Sequence, residues 1–411
     1  MVDIKIPLDL PDVTVQKVEL TPKVIVISVE STLHSTKCKR CGREITRFAG
    51  YSEVVQVRHL PLFGREVQIR YRPKRYECLY CDGNPKSTQA LAWHRANSRY
   101  TRVYEDYLLK ALINSTVEEV SWKEGIGRHS LWNLVERRIA RQVDWSCYRY
   151  LDVLGIDEIA LKKGHRDFVV IVSARLETGD LAVLGVLPDR ERQTVEAFLR
   201  SIPTSLQATI HSVCVDMYEG YRQAVKAALP KAQLVVDRFH VARLYREAAD
   251  KVRQAEMKRL KKSLPKAEYA TLKPCRHAFW KNRTDLTPEE RQALQRLFAY
   301  APKLVLVHAF REGLRTIFER PLSKAQAQDK LRTWMFLVRE QKITCFEPFL
   351  KTLTHFFDEI TNFFVRRLTS GFVEGLNNKI KVLKRRAFGI FNLEHFYQRL
   401  FLDLEGHRVF A

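Results

Sequence analysis

The chain lacks any apolar run approaching the eighteen or more residues that a membrane-spanning helix needs. Its first residues, Met-Val-Asp-Ile-Lys-Ile-Pro, lack the apolar core of a secretory signal. Low-complexity stretches and internal repeats are also missing, which excludes solenoids and disordered tails. Acid is in deficit: 47 Asp and Glu stand against 70 Lys and Arg, a formal net charge of +23 over 411 residues. An excess of that size is the electrostatic footprint of a protein that meets a polyanion, most simply nucleic acid. The expectation is a reduced, cytoplasmic, nucleoid-associated protein without a membrane partner. Its 45% apolar content and its length suffice for two to four domains.

Cys147, Cys214, Cys275 and Cys345 are scattered singly, so a disulfide framework is not expected. The other four form two pairs, Cys38-x-x-Cys41 and Cys78-x-x-Cys81. Two such claws offer the four thiolates that a tetrahedral Zn²⁺ takes. The long gap between them requires an inserted hairpin. Alternation over residues 12–31 gives one hairpin, and Val55 and Val57 with Val67, Ile69 and Tyr71 give a second about Pro61 and Gly64.

From about residue 100 the period becomes helical. Tyr104, Leu108, Leu109, Leu112 and Ile113 form one face, Val117–Lys123 a second helix, Gly125 and Gly127 a turn, and Ser130 caps a third helix through Arg141. This is the helix-turn-helix pattern, with Arg128, Asn133, Arg137 and Arg138 as DNA contacts. From residue 151 the order becomes β-β-β-α-β-α-β, the order of a ribonuclease-H-like fold. The first strand arrives at Asp157, the fourth ends on Asp216 and the last on Asp237. Residues 238–368 are helical in composition, and Ser370 opens a helix carrying Glu374, Asn377, Asn378, Lys381, Lys384 and Arg385.

Phosphodiester chemistry needs an activated hydroxyl and relief of charge on the leaving oxygen, which two Mg²⁺ (or Mn²⁺) ions supply when held by a few carboxylates. Asp157 and Asp216 on neighbouring strands, with Glu374 from the late helix, meet that requirement. Asn378, Lys381, Lys384 and Arg385 then lie along a DNA backbone. Asp237 and His240 form Asp-x-x-His at a helix start, either as a cap with a packed histidine or as supporting active-site groups.

Taken as a set, the paired cysteines, the helical triplet, Leu154-Gly155-Ile156-Asp157-Glu158, Val215-Asp216-Met217-Tyr218, Val236-Asp237-Arg238-Phe239-His240 and Ser370–Lys381 resemble transposases of the bacterial ISL-three insertion-sequence family. The resemblance implies a DDE transposase whose ribonuclease-H-like core is interrupted by an all-helical insertion. It carries the triad onto Asp157, Asp216 and Glu374, and it matches Asp237 and His240 to a pair between the second Asp and the Glu. It further implies that the N-terminal modules bind the terminal inverted repeats and that the freed 3′-hydroxyl is joined to target DNA. The expected organisation is an α/β multidomain chain. A zinc-binding β module spans 1–95 and a helix-turn-helix domain 96–148. The core runs over 149–240, the helical insertion over 241–366, and the closing helix with the Glu over 367–411. Holding two element ends together calls for a homodimer or larger assembly on DNA. The alternatives are a zinc-dependent DNA-binding regulator or inactive derivative, and a nuclease without strand transfer.

Overall fold

The computed structural model describes residues 7–160, 168–272, 275–368, 371–386 and 392–410; the side chains of Arg276 and of residues 372–374 are outside that description. Ser370 therefore lies outside the described residues, and so does the side chain of Glu374. The chain divides into two compact units, residues 1–140 with 398–411, and residues 141–397.

In the first unit, β1 (Val13–Leu20) and β2 (Val24–Ser31) form the expected hairpin, and β6 (Val55–Leu62) and β7 (Arg65–Tyr71) the second. Every other residue of β2, and of β7 from Val67 to Tyr71, is buried, as a half-covered sheet requires. The hairpins join through parallel pairing of β2 with β7, giving the order β1-β2-β7-β6. Short strands carry the cysteine loops: β3 (Thr36–Lys37), β4 (Glu44–Ile45), β5 (Arg47–Tyr51), β8 (Lys74–Glu77) and β9 (Lys86–Thr88).

Three helices follow: α1 (Arg102–Leu112), α2 (Val117–Glu124) and α3 (Arg128–Arg138). Thr116 and Glu119 close a capping box on α2, and Gly125 ends it in the left-handed region (φ 62°). The third helix differs from expectation. It begins at Arg128, three residues before the position a Ser130 cap implies, and it ends at Arg138. Gly127 is the N-cap, its carbonyl accepting from the Ser130 and Leu131 amides, and Ile139 leaves the helix extended to be buried.

Glu105 on α1 is fully buried. It accepts from Ser98 Oγ (2.8 Å), from Arg138 Nη1 (2.9 Å) and from Arg137 Nη2, while Arg138 also pairs with Asp106. Removing one partner of a buried ion pair strands the others at a cost of about 3–5 kcal/mol. Glu105→Ala is accordingly expected to destabilise this unit by about 3 kcal/mol in urea unfolding. A loss below about 1 kcal/mol would remove Glu105 from the set of fold-determining residues.

The second unit is built on a five-stranded sheet, order β12-β11-β10-β13-β14. Its strands are β10 (Val153–Ala160), β11 (Phe168–Arg175), β12 (Leu181–Leu187), β13 (Ser212–Val215) and β14 (Gln233–Val236). The first three are antiparallel, and β13 and β14 run parallel to β10. One face packs on α4 (Arg192–Ser201), α5 (Thr204–Gln207) and α6 (Glu219–Ala228) through Val195, Leu199, Leu206 and Tyr221. The other presents Val153, Cys214 and Val235 to a large helical core. That core contains α7 (Arg238–Ser263), α8 (Lys266–Leu272), α9 (Cys275–Trp280), α10 (Pro288–Tyr300) and α11 (Pro302–Glu319), then α12 (Lys324–Glu340), α13 (Glu347–His355), α14 (Phe357–Thr361) and α15 (Phe363–Arg366). Helix α16 (Gly371–Arg386) follows, and then α17 (Leu393–Val409), whose residues from Gln398 onward belong to the first unit.

Asp152, just before β10, accepts two bonds from Arg366 at the end of α15 (2.9 and 3.1 Å), and Arg175 and His211 lie within 3.6 Å. Burial pushes this carboxyl up, but Arg366 and then Arg175 and His211 outweigh it and hold the group below its ordinary value. A carboxyl whose pKa is depressed by folding stabilises the fold above its unfolded value near 3.9 and loses that contribution as pH falls through the folded value. Unfolding free energy is therefore expected to drop below about pH 4, and Asp152→Asn to be less stable at pH 7 with a flatter acid limb. A variant as pH-sensitive as the wild type would assign the acid limb to other carboxyls.

Candidate active site

Asp157 and Asp216 come together because β10 and β13 are hydrogen-bonded neighbours running in the same direction, with Ile156 opposite Val215. Each acid is the next residue in the chain, Asp157 within β10 and Asp216 just past the end of β13. The strand does not stop at Asp157 as expected; it continues to Ala160 because the antiparallel partner β11 extends opposite it, with Ile171 facing Asp157. Asp216 follows the last residue of β13, where its Oδ1 accepts the Met217 amide at 2.6 Å.

The late helix supplies the next contact. Asn377 Nδ2 donates to Asp157 Oδ2 at 2.5 Å, and seven residues on the Lys384 ammonium donates to the carbonyl of Ala160. Two helical turns advance ~10.5 Å and three strand residues ~10 Å, so α16 runs along β10 in register with it. Leu376, Ile380 and Leu383 are buried beside Asn377, whereas Asn378, Lys381 and Arg385 are exposed. The predicted cationic face is thus split: Lys384 ties the helix to the strand, and the others face solvent. Burial, then Arg385 and Lys381, pull the Lys384 ammonium below its usual pKa.

Helix α7 approaches from the β14 side. Asp237, almost fully buried, accepts the Phe239 amide at 3.1 Å and caps this helix. His240 Nδ1 lies 2.9 Å from Asp216 Oδ1, and Arg243 Nη2 is 3.7 Å from Asp216 Oδ2. Of the Asp-x-x-His pair, the acid caps and the histidine meets the candidate acid. Arg243 was missed in the sequence, although its spacing of three from His240 puts both on one helix face.

The two acids are electrostatically unlike. Burial pushes Asp157 up and the Asp216 carboxylate adds to this, against the Glu158 amide, His240 and Asn377. For Asp216 burial acts in the same sense, but His240, Met217 and Arg243 outweigh it and hold the carboxyl low. Two half-buried carboxylates side by side, one pushed toward its neutral form, are a donor set that a hard divalent cation relieves. Asn377 Oδ1 is buried without a hydrogen-bond partner and offers a further oxygen there. Glu374 stands one turn before Asn377 on α16.

In the first unit the sulfurs of Cys38, Cys41, Cys78 and Cys81 all lie within 4.8 Å of one another, Cys41 and Cys78 at 3.7 Å. Ligands at 2.3 Å on a tetrahedron stand ~3.8 Å apart, so the cluster fits zinc. Hydrogen bonds from the Cys41 and Arg40 amides draw the Cys38 thiol down to about 6, whereas burial pushes the Cys78 and Cys81 thiols up. On α3, Arg128 is 68% exposed at its side chain and pairs with Glu118, and Asn133 is exposed. Arg137 and Arg138 are held on Glu105.

Comparison with known proteins gives a family model described as "Transposase", of the ISL-three DDE group, matching residues 154–400. A second model, "zinc-finger of transposase IS204/IS1001/IS1096/IS1165", matches residues 34–81. The chain is similar to the transposase for insertion sequence element IS1001 of Bordetella parapertussis, 29% identical over 391 residues, 94% of this chain and 93% of that protein. It is also similar to the transposase for insertion sequence element IS1557 of Mycobacterium tuberculosis, 25% identical over 398 residues, 90% and 86% of the two chains. The Drosophila P element transposase strand transfer complex aligns at a TM-score of 0.43 and 10% identity, covering 77% of this chain and 94% of that one. Among the described residues, no helix is long and apolar enough to cross a membrane.

Proposed function

Since the chain belongs to the ISL-three family of DDE transposases and is a DNA transposase, we propose that Asp157, Asp216 and Glu374 are its catalytic acids. The observation that carries this reading is the junction of β10, β13 and α16, where Asn377 reaches Asp157 across 220 residues of chain. In this reading the sheet is a ribonuclease-H-like core, and the helices between β14 and α16 are an insertion that returns the chain to it.

The three acids would hold Mg²⁺ or Mn²⁺, which when bound supplies an activated hydroxyl and charge relief on the leaving oxygen. Asn377 fixes the Asp157 carboxylate. His240 and Arg243 keep Asp216 ionised and so ready to ligate. Lys381, Arg385 and Asn378 face solvent on α16 and grip the DNA backbone, while Lys384 sets the helix position. The helical triplet acts as a helix-turn-helix with Arg128 and Asn133 presented to DNA. Arg137 and Arg138 brace α3 on α1. The zinc module and this triplet recognise the inverted repeats, and a dimer or larger assembly holds two ends.

The test is DNA carrying the repeats that flank the gene, incubated with the protein and Mg²⁺ and then with target DNA. Cleavage followed by joining is expected, with both steps lost in Asp216→Asn and Glu374→Gln. Cleavage without joining would make the protein a nuclease, and tight binding without cleavage a regulator.

A further inference from the structure

The first two turns of α7 carry two adjacent stripes. His240 and Arg243 face Asp216. Phe239 and Arg246 belong to the neighbouring stripe, which lines a cavity of about 330 Å³ together with Trp280 and Arg238. The cavity is of ligand size, and its walls combine aromatic faces with cations. Phe239 is 48% exposed, unusual for a phenylalanine beside a large apolar core. Arg238 lies over the Phe239 ring (5.5 Å) and Arg246 over the Trp280 ring (4.9 Å). Arg311 donates to the carbonyls of Phe279 and Lys281 and so fixes the turn that carries Trp280. Aromatic rings open to a cavity, Phe239 exposed and Trp280 half-buried, with guanidinium groups beside them are the chemistry that binds unpaired bases and their phosphates.

We propose that this cavity receives an unstacked nucleobase from the DNA strand held at Asp157 and Asp216, with Phe239 and Trp280 as stacking surfaces and Arg238 and Arg246 on the adjoining phosphates. The inference rests on the reading of those acids as the site of cleavage. A base drawn out of the duplex there would fix the scissile phosphate relative to the acids, which base pairing in an intact helix does not do.

The experiment pairs Trp280→Ala and Phe239→Ala with end duplexes bearing a single abasic site, moved one nucleotide at a time through the region of the cut. Binding is read in an Asp157→Asn background, so no cleavage intervenes. Base–aromatic stacking predicts about a tenfold loss of affinity for each variant on intact DNA. At one abasic position that loss should shrink to less than about twofold, because the base that stacks is gone. The same loss at every position, or none on intact DNA, would overturn the proposal. Phe239 is exposed, so its variant decides the matter if Trp280→Ala fails to fold. Quenching of tryptophan fluorescence by deoxynucleoside monophosphates, abolished by Trp280→Ala, would instead assign the cavity to a free nucleotide and overturn the strand assignment. Persistent cleavage by Asp157→Asn would sink the acid assignment alone and leave the binding cycle standing.

Discussion

Asp157→Asn is expected to bind the element ends as the wild type does and to cleave them at least about a thousandfold more slowly. The substitution keeps the shape of the side chain and its acceptor for the Glu158 amide, so the strand is undisturbed. What it removes is the ionised oxygen pair on which cation binding depends. Asn377→Ala provides the scale. That residue touches Asp157 through one hydrogen bond, and loss of a group that only orients a ligand costs about ten- to a hundredfold. Raising Mg²⁺ should recover part of the Asn377→Ala defect and none of the Asp157→Asn defect. Equal rates for the two variants would mean that Asp157 positions the helix and does not act in the chemistry.

Removing zinc should have the second largest effect, and a local one. The cluster around the sulfurs has only Ile45 and Tyr76 as further buried apolar side chains, too little to order those loops alone. Structural zinc contributes on the order of 10 kcal/mol to such modules. Cys78→Ser, or chelation with a strong competitor, is expected to open residues 35–90 to protease and to weaken end binding by at least about a hundredfold. The sheet carrying Asp157 should keep its unfolding transition, since none of its core residues belongs to that cluster. Full end binding by the metal-free protein would place repeat recognition elsewhere.

What was legible in the sequence follows from what is local. Buried strands such as β10 and β13 announce themselves as β-branched runs bounded by polar turns, and their order alone made Asp157 and Asp216 neighbours. The amides and cations of α16 were legible as one face. Which of them would turn inward was not, because Asn377 and Lys384 find partners on β10 more than 200 residues away. A separation of 32 and 33 residues, between two helices and not within one, hid the pairing of Arg137 and Arg138 with Glu105, buried on α1. The start of α3 was misplaced because Ser130 advertises a side-chain cap, whereas Gly127 caps with its backbone alone. The parallel join of β2 to β7 had no local signal, since each hairpin's own pattern is complete without it.

The reach from Asp157 to Asn377 also has a meaning in time. A ribosome adds about 5–20 residues per second, so the amide that seats Asp157 is synthesised roughly 10–40 s after the aspartate itself. For that interval the nascent chain already carries Asp157 and, soon after, Asp216, but not the helix that completes their surroundings. If Asp157 and Asp216 act only with α16 in place, as proposed, the chain would acquire its cutting site only near the end of synthesis, and a truncated product ending before α16 is expected to bind ends without breaking them.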